Sequence, residues 1–359
     1  MTGAPLSSRI RVLVVDDSVV VRRLVSEVLA QDLALAVVGS AANGKIALSK
    51  IPQVNPDIVT LDMEMPEMDG LQTLAAIRVT WPKMPVIMFS TLTRRGATAT
   101  LDALALGASD YVTKPEKLDR SLAVVQHLQR ELLPRIKALC PRGSLLASIA
   151  RSAGPVAALG FRPPPKAVEV LAIGVSTGGP NALAEVIPRI PADFPVPIVI
   201  VQHMPPTFTR LLAERLTAHS SIKVVEAADG MPLAPGVALI APGDYHMVIR
   251  REVRGGVKAF LNQEPQENSC RPAVDVLFRS VAQVYGAATL AVILTGMGQD
   301  GLHGCQRIRD SGGQILVQDE ATSVVWGMPG FVVNAGLADA VLPIQEVGPA
   351  IVRRTREKR

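Results

Sequence analysis

Short apolar runs alternate with amphipathic segments along the first third of the chain. The first run, at residues 10–15, leads into two aspartates, and Ser18 then caps a segment whose apolar residues recur at helical spacing. Further runs predict strands at residues 35–39, 57–61, 85–89 and 110–113. Because strands and helices alternate, we expect right-handed βαβ units that build a parallel sheet.

The second half of the sequence repeats this alternation. Helices are predicted at residues 206–218, 272–285 and 300–311. Strands are predicted near residues 168–175, 196–202, 222–226, 237–241, 246–250, 257–261, 289–294 and 314–317. The fold class we expect is therefore α/β, with two doubly wound parallel-sheet domains joined by a linker.

A stretch rich in glycine, serine and proline separates the two halves. A helix is expected at residues 118–139, interrupted near Pro134, and a connector with a stiff triple proline should follow at 140–166. The length of 359 residues also agrees with two domains. The predicted organisation is a first domain at 1–125, a linker at 126–166 and a second domain at 167–359.

Charge and composition disfavour several classes of function. The net charge is +5, and the basic excess lies in the linker and the last residues rather than on a predicted folded face, so nucleic-acid binding is disfavoured. No apolar run approaches the ~18 residues of a membrane helix, and the N-terminus lacks a signal-peptide pattern. Three cysteines show neither metal spacing nor an even-numbered disulfide set, which favours a reducing cytoplasm.

Polar side chains follow the predicted strands of the first domain at the points where those strands end. They are Asp16 and Asp17, Asp62, Ser90 and Lys114. The carboxyl ends of parallel strands meet at one edge of a sheet, so we expect these side chains to lie together. Neighbouring carboxylates repel one another unless a hard cation such as Mg²⁺ lies among them. Asp62 could then accept a phosphoryl group, while Lys114 and the cation stabilise the transferred charge.

A different chemistry is predicted in the second domain, where Ser176 lies on a glycine-flanked turn after an apolar strand. Residues 174–178 have the G-x-S-x-G spacing of a nucleophile elbow. A phosphate-binding turn is the alternative, but neither G-x-G-x-x-G nor G-K-[ST] is present. His203, which ends the next strand, is the favoured base. Asp300, which follows the strand at 289–294, is favoured to orient the imidazole.

Other residues are weaker candidates for these roles. His127 and His219 are expected at the surface, His246 is expected to be structural, and His303 is expected just inside the start of a helix. Cys270 and Cys305 are alternative nucleophiles, but neither lies on a glycine turn. For Asp300, an ordinary helix N-cap is the competing interpretation.

The first domain resembles the receiver domain of response regulators over about residues 9–125. The resemblance rests on the stretches at 14–18, 60–70 and 111–115 together with Ser90. It implies a flavodoxin-like fold and a cis peptide bond before Pro115. It also implies that Asp62 is the phosphoacceptor. Asp16, Asp17 and Asp62 would be the Mg²⁺ ligands, and Ser90 and Lys114 would sense the phosphoryl group.

The second domain resembles the catalytic domain of chemotaxis protein-glutamate methylesterases over about residues 167–345. The resemblance is carried by the stretches at 174–180, 202–209, 241–247, 271–275, 294–301 and 318–322. It implies a Rossmann-like domain in which Ser176 is the nucleophile, His203 the general base and Asp300 its partner. Thr177 and the backbone N–H of Met297 would lie around the oxyanion. Gly330 departs from the family, whose members often carry a charged residue there, so the substrate contacts of that loop stay open.

Together the two resemblances imply a phosphorylation-regulated hydrolase. Its substrate would be a glutamate methyl ester in a methyl-accepting chemoreceptor, and glutamine deamidation would be a second activity. A chemotaxis histidine kinase would supply the phosphoryl group. Mg²⁺ would bind to the receiver, while the esterase reaction would need no cofactor. The receiver would cover the catalytic cleft until Asp62 is phosphorylated. Two alternatives stay open, namely a non-catalytic binding module and a hydrolase of small free esters.

Overall fold

The computed structural model of the chain describes residues 9–114, 122–141, 166–253 and 255–357. These residues divide into two units, one within residues 1–145 and the other within residues 146–359. Among the helices of the described ranges, none has the length and apolar character needed to span a membrane. The expected cis bond before Pro115 and most of the expected connector lie outside the described residues.

The first unit consists of one parallel sheet and the helices between its strands. Its elements are β1 (Ile10–Val15), α1 (Val19–Ala30), β2 (Leu35–Ala41), α2 (Gly44–Val54), β3 (Ile58–Asp62), α3 (Gly70–Thr80), β4 (Val86–Ser90), α4 (Arg94–Ala105), β5 (Asp110–Thr113) and α5 (Leu122–Leu139). The strand order is β2-β1-β3-β4-β5, the doubly wound order of flavodoxin-like folds. The strands that the apolar runs predict are therefore confirmed.

Local sequence explains how these elements form. Ser18 caps α1 by accepting a hydrogen bond from the Val21 N–H at 3.4 Å. The buried face of α1 recurs at helical spacing and packs against the same core as β1. Strands β3 and β4 are buried along their whole length because helices cover both faces of a parallel sheet.

Helix α5 differs from the prediction in two ways. It is continuous through Pro134 instead of interrupted, and residues 126–139 belong to the first unit instead of the linker. Its buried residues recur every four positions, at Val124, Leu128, Leu132 and Ile136, and they join the core of β1 and α1. Burial of this stripe offsets the one backbone hydrogen bond that a proline removes from a helix.

The second unit contains a larger parallel sheet. Its elements are β6 (Val170–Val175), α6 (Gly179–Val186), β7 (Ile198–Gln202), α7 (Phe208–Ala218), β8 (Lys223–Glu226), β9 (Met231–Pro232), β10 (Val237–Ile240), β11 (His246–Arg251), β12 (Val257–Asn262), α8 (Val274–Tyr285), β13 (Thr289–Ile293), α9 (Leu302–Asp310), β14 (Gln314–Gln318), α10 (Met328–Asn334), β15 (Ala340–Leu342) and α11 (Ile344–Arg356). The seven-stranded sheet has the order β15-β14-β13-β6-β7-β10-β8. Strands β9, β11 and β12 form a separate antiparallel sheet, which the alternation of strands and helices did not predict.

The order of strands creates a crevice beside β6. From β6 the chain continues to β7 on one side, and β13 is added later on the other side. Ligands of open α/β sheets bind outside the carboxyl ends of the strands at such a reversal of strand order. Residues that follow β6, β7 and β13 are therefore placed around one crevice.

The assignment of α5 to the first unit predicts a large effect of Leu132→Ala on stability. Leu132 is fully buried, so its truncation should lower the free energy of unfolding of this unit by about 2–5 kcal/mol. The matched control is Leu122→Ala on the same helix, which should change it by no more than about 0.5 kcal/mol because Leu122 is 72% exposed. Urea unfolding of the full chain measures both variants. Equal effects would contradict the packing of α5.

Candidate active site and phosphoacceptor site

The first unit brings four of the predicted residues together at the carboxyl edge of its sheet. Lys114 Nζ lies 2.9 Å from Asp16 Oδ2 and 2.7 Å from Asp62 Oδ1. Asp16, Asp17 and Asp62 each offer a carboxylate oxygen, and these oxygens lie within 4.8 Å of one another. Asp16 and Asp62 are buried, whereas Asp17 is exposed.

The charges of this cluster are compatible with a bound cation. Burial raises the pKa of Asp62, Lys114 lowers it and Asp16 raises it again, so that the pKa is about 6. Burial lowers the pKa of Lys114, but Asp62 and Asp16 outweigh this effect and raise it, so the ammonium stays charged. A single ammonium does not neutralise three carboxylates. The all-oxygen donor set fits the Mg²⁺ that the sequence predicts.

The carboxylates border an open cavity of about 760 Å³, whose lining includes Asp17, Asp62 and Lys114. Ser90 is not part of this lining. It is buried, and its hydroxyl donates to the carbonyl of Gly96 at 3.2 Å and accepts from Thr100 Oγ1 at 2.5 Å. The structure therefore places Ser90 at the end of β4, with its hydroxyl engaged by Gly96 and Thr100. Its sensing role stays a prediction that requires its hydroxyl to turn.

Three distant segments of the second unit meet at the carboxyl edge of its sheet. The backbone N–H of Ser176 donates to the carbonyl of Thr295 at 3.0 Å, and the N–H of His203 donates to the carbonyl of Val175 at 3.3 Å. A Cβ atom on Gly296 would lie 2.9 Å from Ser176 Cβ, so the approach of these two segments requires glycine. Ser176 is thus placed between the segments that carry His203 and Asp300.

His203 and Asp300 form a direct hydrogen-bonded pair. His203 Nε2 lies 2.8 Å from Asp300 Oδ2. The same carboxylate accepts backbone N–H bonds from Val274 at 2.7 Å and from Asp275 at 3.0 Å, which are the first residues of α8. Burial raises the pKa of Asp300, but the bond from His203 and these backbone bonds outweigh it and hold the pKa below its usual range. Asp300 therefore accepts the Nε2 proton as an ionised group.

The structure does not bear out the helix N-cap interpretation of Asp300. The residue that caps α9 is Gly301, without a side-chain cap, so Asp300 is not the N-cap of the helix that follows it. Its carboxylate lies instead at the N-terminus of α8, where the helix dipole favours negative charge. The glycine-rich turn after β13 directs it there.

The second ring nitrogen of His203 faces Cys270. The Nδ1–Sγ distance is 3.7 Å. Burial lowers the pKa of His203, whereas Cys270 and Asp300 outweigh burial and raise it. If Ser176 is the nucleophile that the sequence predicts, Nδ1 is the ring nitrogen left to accept its proton, because Asp300 engages Nε2. Within the described residues no hydrogen bond joins Ser176 Oγ to the imidazole, and such contacts often tighten only when substrate binds.

Two amide side chains that the sequence analysis did not single out support the pair. Gln202 Nε2 donates to the carbonyls of Ser176 at 3.0 Å and of His203 at 3.3 Å. Asn268 Nδ2 donates at 2.9 Å to Asp300 Oδ1 and at 2.9 Å to Asp275 Oδ2. Amides carry no sequence signal of their own. The position of Gln202 at the end of β7 was the one available indication.

The surroundings of the predicted oxyanion site are built by two turns. Gly178 has a φ of 77°, a conformation that favours glycine, and α6 starts directly after it. Thr177 is buried, and its carbonyl accepts a bond from Thr295 Oγ1 at 2.9 Å. Met297 is half-buried, and its N–H has no acceptor among the described residues. The expectation that Thr177 and Met297 surround the oxyanion stays a prediction.

The remaining candidates lie elsewhere. His219 and His303 are exposed, and His127 contacts the carbonyl of Thr113 at 3.3 Å in the first unit. His246 is buried, and its Nδ1 accepts the backbone N–H of Ala273 at 3.2 Å. Cys305 is fully buried in the core.

Gly330 lies close to an aromatic ring. A Cβ atom on Gly330 would lie 2.9 Å from the Trp326 ring, so a side chain at Gly330 would displace that ring.

His203, Cys270 and Asp300 offer potential metal-ligand atoms within 4.8 Å of one another. Their mutual hydrogen bonds already account for this proximity.

Comparisons with known proteins agree with both units. The CheB methylesterase family matches residues 171–351, and the response regulator receiver domain matches residues 12–126. A protein-glutamate methylesterase/protein-glutamine glutaminase of Trichodesmium erythraeum is 52% identical over 352 residues, which cover 96% of this chain and 99% of that protein. A protein of the same name from Nocardioides sp. is 51% identical over 98% of this chain and 96% of its own length.

A solved structure supports the second unit. The crystal structure of the Thermotoga maritima CheB methylesterase catalytic domain covers 52% of this chain and 98% of its own chain, with 44% identity and a TM-score of 0.51. The sequence similarity to the Trichodesmium and Nocardioides proteins also extends over nearly their whole length. The chain therefore belongs to the CheB protein-glutamate methylesterase family, with a response regulator receiver domain ahead of its methylesterase domain.

Proposed function

We propose that this chain hydrolyses methyl esters on glutamate side chains of methyl-accepting chemoreceptors, releases methanol, and deamidates specific receptor glutamines. The relatives at 51–52% identity carry the corresponding name. The observation that carries the proposal is the 2.8 Å bond between His203 and Asp300 beside the turn that holds Ser176. Nucleophile, base and orienting acid are the parts that acyl transfer requires.

The reaction follows from the positions of these side chains. Asp300 holds the proton on Nε2, so Nδ1 accepts the proton of Ser176 as its oxygen attacks the ester carbonyl. The oxyanion is stabilised by backbone donors near Met297 and Thr177. The imidazolium then protonates the leaving methoxide, and methanol departs. Water hydrolyses the acyl-enzyme by the same proton transfers, and a primary amide enters the same route with ammonia as the leaving group.

The receiver regulates this reaction in our proposal. Asp62 accepts the phosphoryl group from a chemotaxis histidine kinase, and Lys114 contacts the transferred group. Asp16, Asp17 and Asp62 would hold Mg²⁺, which neutralises phosphoryl oxygens when bound. The unphosphorylated receiver restricts access to Ser176, and phosphorylation shifts the population towards an active state.

The proposed compartment is the cytoplasm. No disulfide joins the cysteines of the described residues, which fits a reducing environment. The cytoplasmic side is also where the helical signalling regions of chemoreceptors and their kinase would be reached. Insertion into the membrane is not part of the proposal.

Ser176→Ala should abolish methanol release from methylated receptor. Loss of the nucleophile from such a site lowers kcat by about 10⁴-fold or more, while circular dichroism should show an unchanged fold. The matched control is Ser220→Ala, which removes a hydroxyl that donates to the Leu216 carbonyl and should keep the wild-type rate. A fluorophosphonate probe should label the control but not Ser176→Ala. Retained turnover in Ser176→Ala would reject the nucleophile, and a wild-type protein that neither labels nor hydrolyses would favour a binding module.

Asp62→Asn should retain the unstimulated esterase rate and lose its stimulation by a small-molecule phosphodonor with Mg²⁺. The amide keeps the shape of the side chain but cannot form an acyl phosphate. The control is Asp102→Asn, an exposed carboxylate on α4, which should be stimulated like the wild type. Methanol release with and without phosphodonor measures the ratio. Full stimulation of Asp62→Asn would disprove the assignment of the phosphoacceptor.

A further inference from the structure

The segment that carries Cys270 is a tight turn built against the catalytic pair. Glu267 and Cys270 exchange two backbone hydrogen bonds, at 3.1 and 2.9 Å. Between them, Asn268 and Ser269 have φ values of 53° and 62°, which are uncommon for residues other than glycine. Arg279 anchors the turn through bonds of 2.5 and 2.6 Å to the Glu267 carboxylate. Strained backbone of this kind persists where the surroundings over-determine it and clusters at functional sites.

The turn delivers two side chains to the two members of the pair. The Asn268 amide reaches Asp300, and the Cys270 thiol reaches His203 Nδ1 at 3.7 Å. Thiol, imidazole and carboxylate are therefore connected in sequence, since His203 Nε2 is bonded to Asp300 at 2.8 Å. This is the arrangement of a nucleophile, its base and an orienting acid. Cys270 is half-buried, so the residue is not sealed in the core as Cys305 is.

The described contacts of the other two cysteines are different. Cys305 is 0% exposed, and burial raises the pKa of its thiol. Cys140 is half-exposed at the end of the first unit, where its Sγ donates to the carbonyl of Asp57 at 3.6 Å. Reactive cysteines lie beside cationic groups in partly exposed sites, whereas buried thiols are inert.

We propose that Cys270 is a modification site, a nucleophilic thiol that His203 activates towards soft electrophiles and low-molecular-weight disulfides. In the exchange with a disulfide, Nδ1 accepts the thiol proton and the Cys270 thiolate attacks one sulfur. A new S–S bond forms on Cys270 while the old S–S bond breaks. The departing small thiolate takes the proton back from the imidazolium.

Modification of Cys270 would also switch off hydrolysis, and this part rests on the proposed function. Nδ1 is the nitrogen that Ser176 needs, and the Cys270 sulfur lies directly against it. A group attached to that sulfur occupies the space through which Ser176 Oγ must approach the imidazole. Cys270 and Ser176 therefore compete for one base.

Alkylation tests the reactivity of the thiol independently of any esterase activity. The full chain with Mg²⁺ is treated with iodoacetamide at pH 7, and mass spectrometry follows each cysteine separately. Cys270 should be alkylated about tenfold faster than Cys140, and Cys305 should stay unlabelled while the protein is folded. His203→Gln should lower the rate at Cys270 about tenfold without changing the rate at Cys140, whereas His219→Gln should change neither. A rate at Cys270 no higher than at Cys140, or one that His203→Gln leaves unchanged, would overturn the proposal.

Reaction with glutathione disulfide tests the effect on hydrolysis. Methanol release should fall in proportion to the mixed disulfide on Cys270, and dithiothreitol should restore it. Glutathione disulfide should not change the rate of methanol release that Cys270→Ser retains. It should still lower the rate of methanol release by Cys140→Ser. Full modification of Cys270 with undiminished methanol release would overturn the inhibitory role. Fast labelling of Cys270 in a wild-type chain that releases no methanol would instead reject the proposed function and leave the thiol assignment standing.

Discussion

The hydrogen bond between His203 Nε2 and Asp300 Oδ2 is the interaction on which the proposed chemistry of the second unit depends. An ionised carboxylate as buried as Asp300 is costly unless donors surround it. The protein supplies them from the first residues of α8, from the Gly301 N–H at 3.0 Å and from the Asn268 amide. With Asp300 ionised, the Nε2 proton is held in place, and in the neutral imidazole the lone pair lies on Nδ1. In the proposed mechanism this one buried charge determines which ring nitrogen acts as the base.

The parallel sheets explain why both sites lie where they do. Helices bury both faces of β3, β4, β6 and β7, so polar chemistry is confined to the ends of the strands. In the first unit this edge brings Asp62 and Lys114 within 2.7 Å. In the second unit it brings Ser176 beside the segments of His203 and Asp300. The same architecture therefore supports both proposed sites, one that accepts a phosphoryl group and one that hydrolyses esters, with different side chains.

The sequence predicted those features that periodicity and strand ends encode. The strands of the first unit, the main strands of the second, and the grouping of Asp16, Asp62 and Lys114 all follow from apolar runs that stop at polar residues. The contact of Cys270 with His203 could not be predicted, because it depends on left-handed backbone at Asn268 and Ser269, for which the residue types give no signal. The membership of α5 in the first unit was missed for a related reason. Its basic composition suggested a linker, whereas its buried stripe depends on which surface is available to cover it.

The tautomer of His203 shows whether Asp300 orients the imidazole. Nitrogen-15 NMR of the full chain, with the His203 signals assigned through His203→Gln, reports which ring nitrogen carries the proton in the neutral imidazole. We expect a protonated Nε2 hydrogen-bonded to Asp300 and an unprotonated Nδ1. A neutral His203 with its proton on Nδ1 would contradict it, because Asp300 would then not orient the base and Ser176 would have no acceptor at that nitrogen.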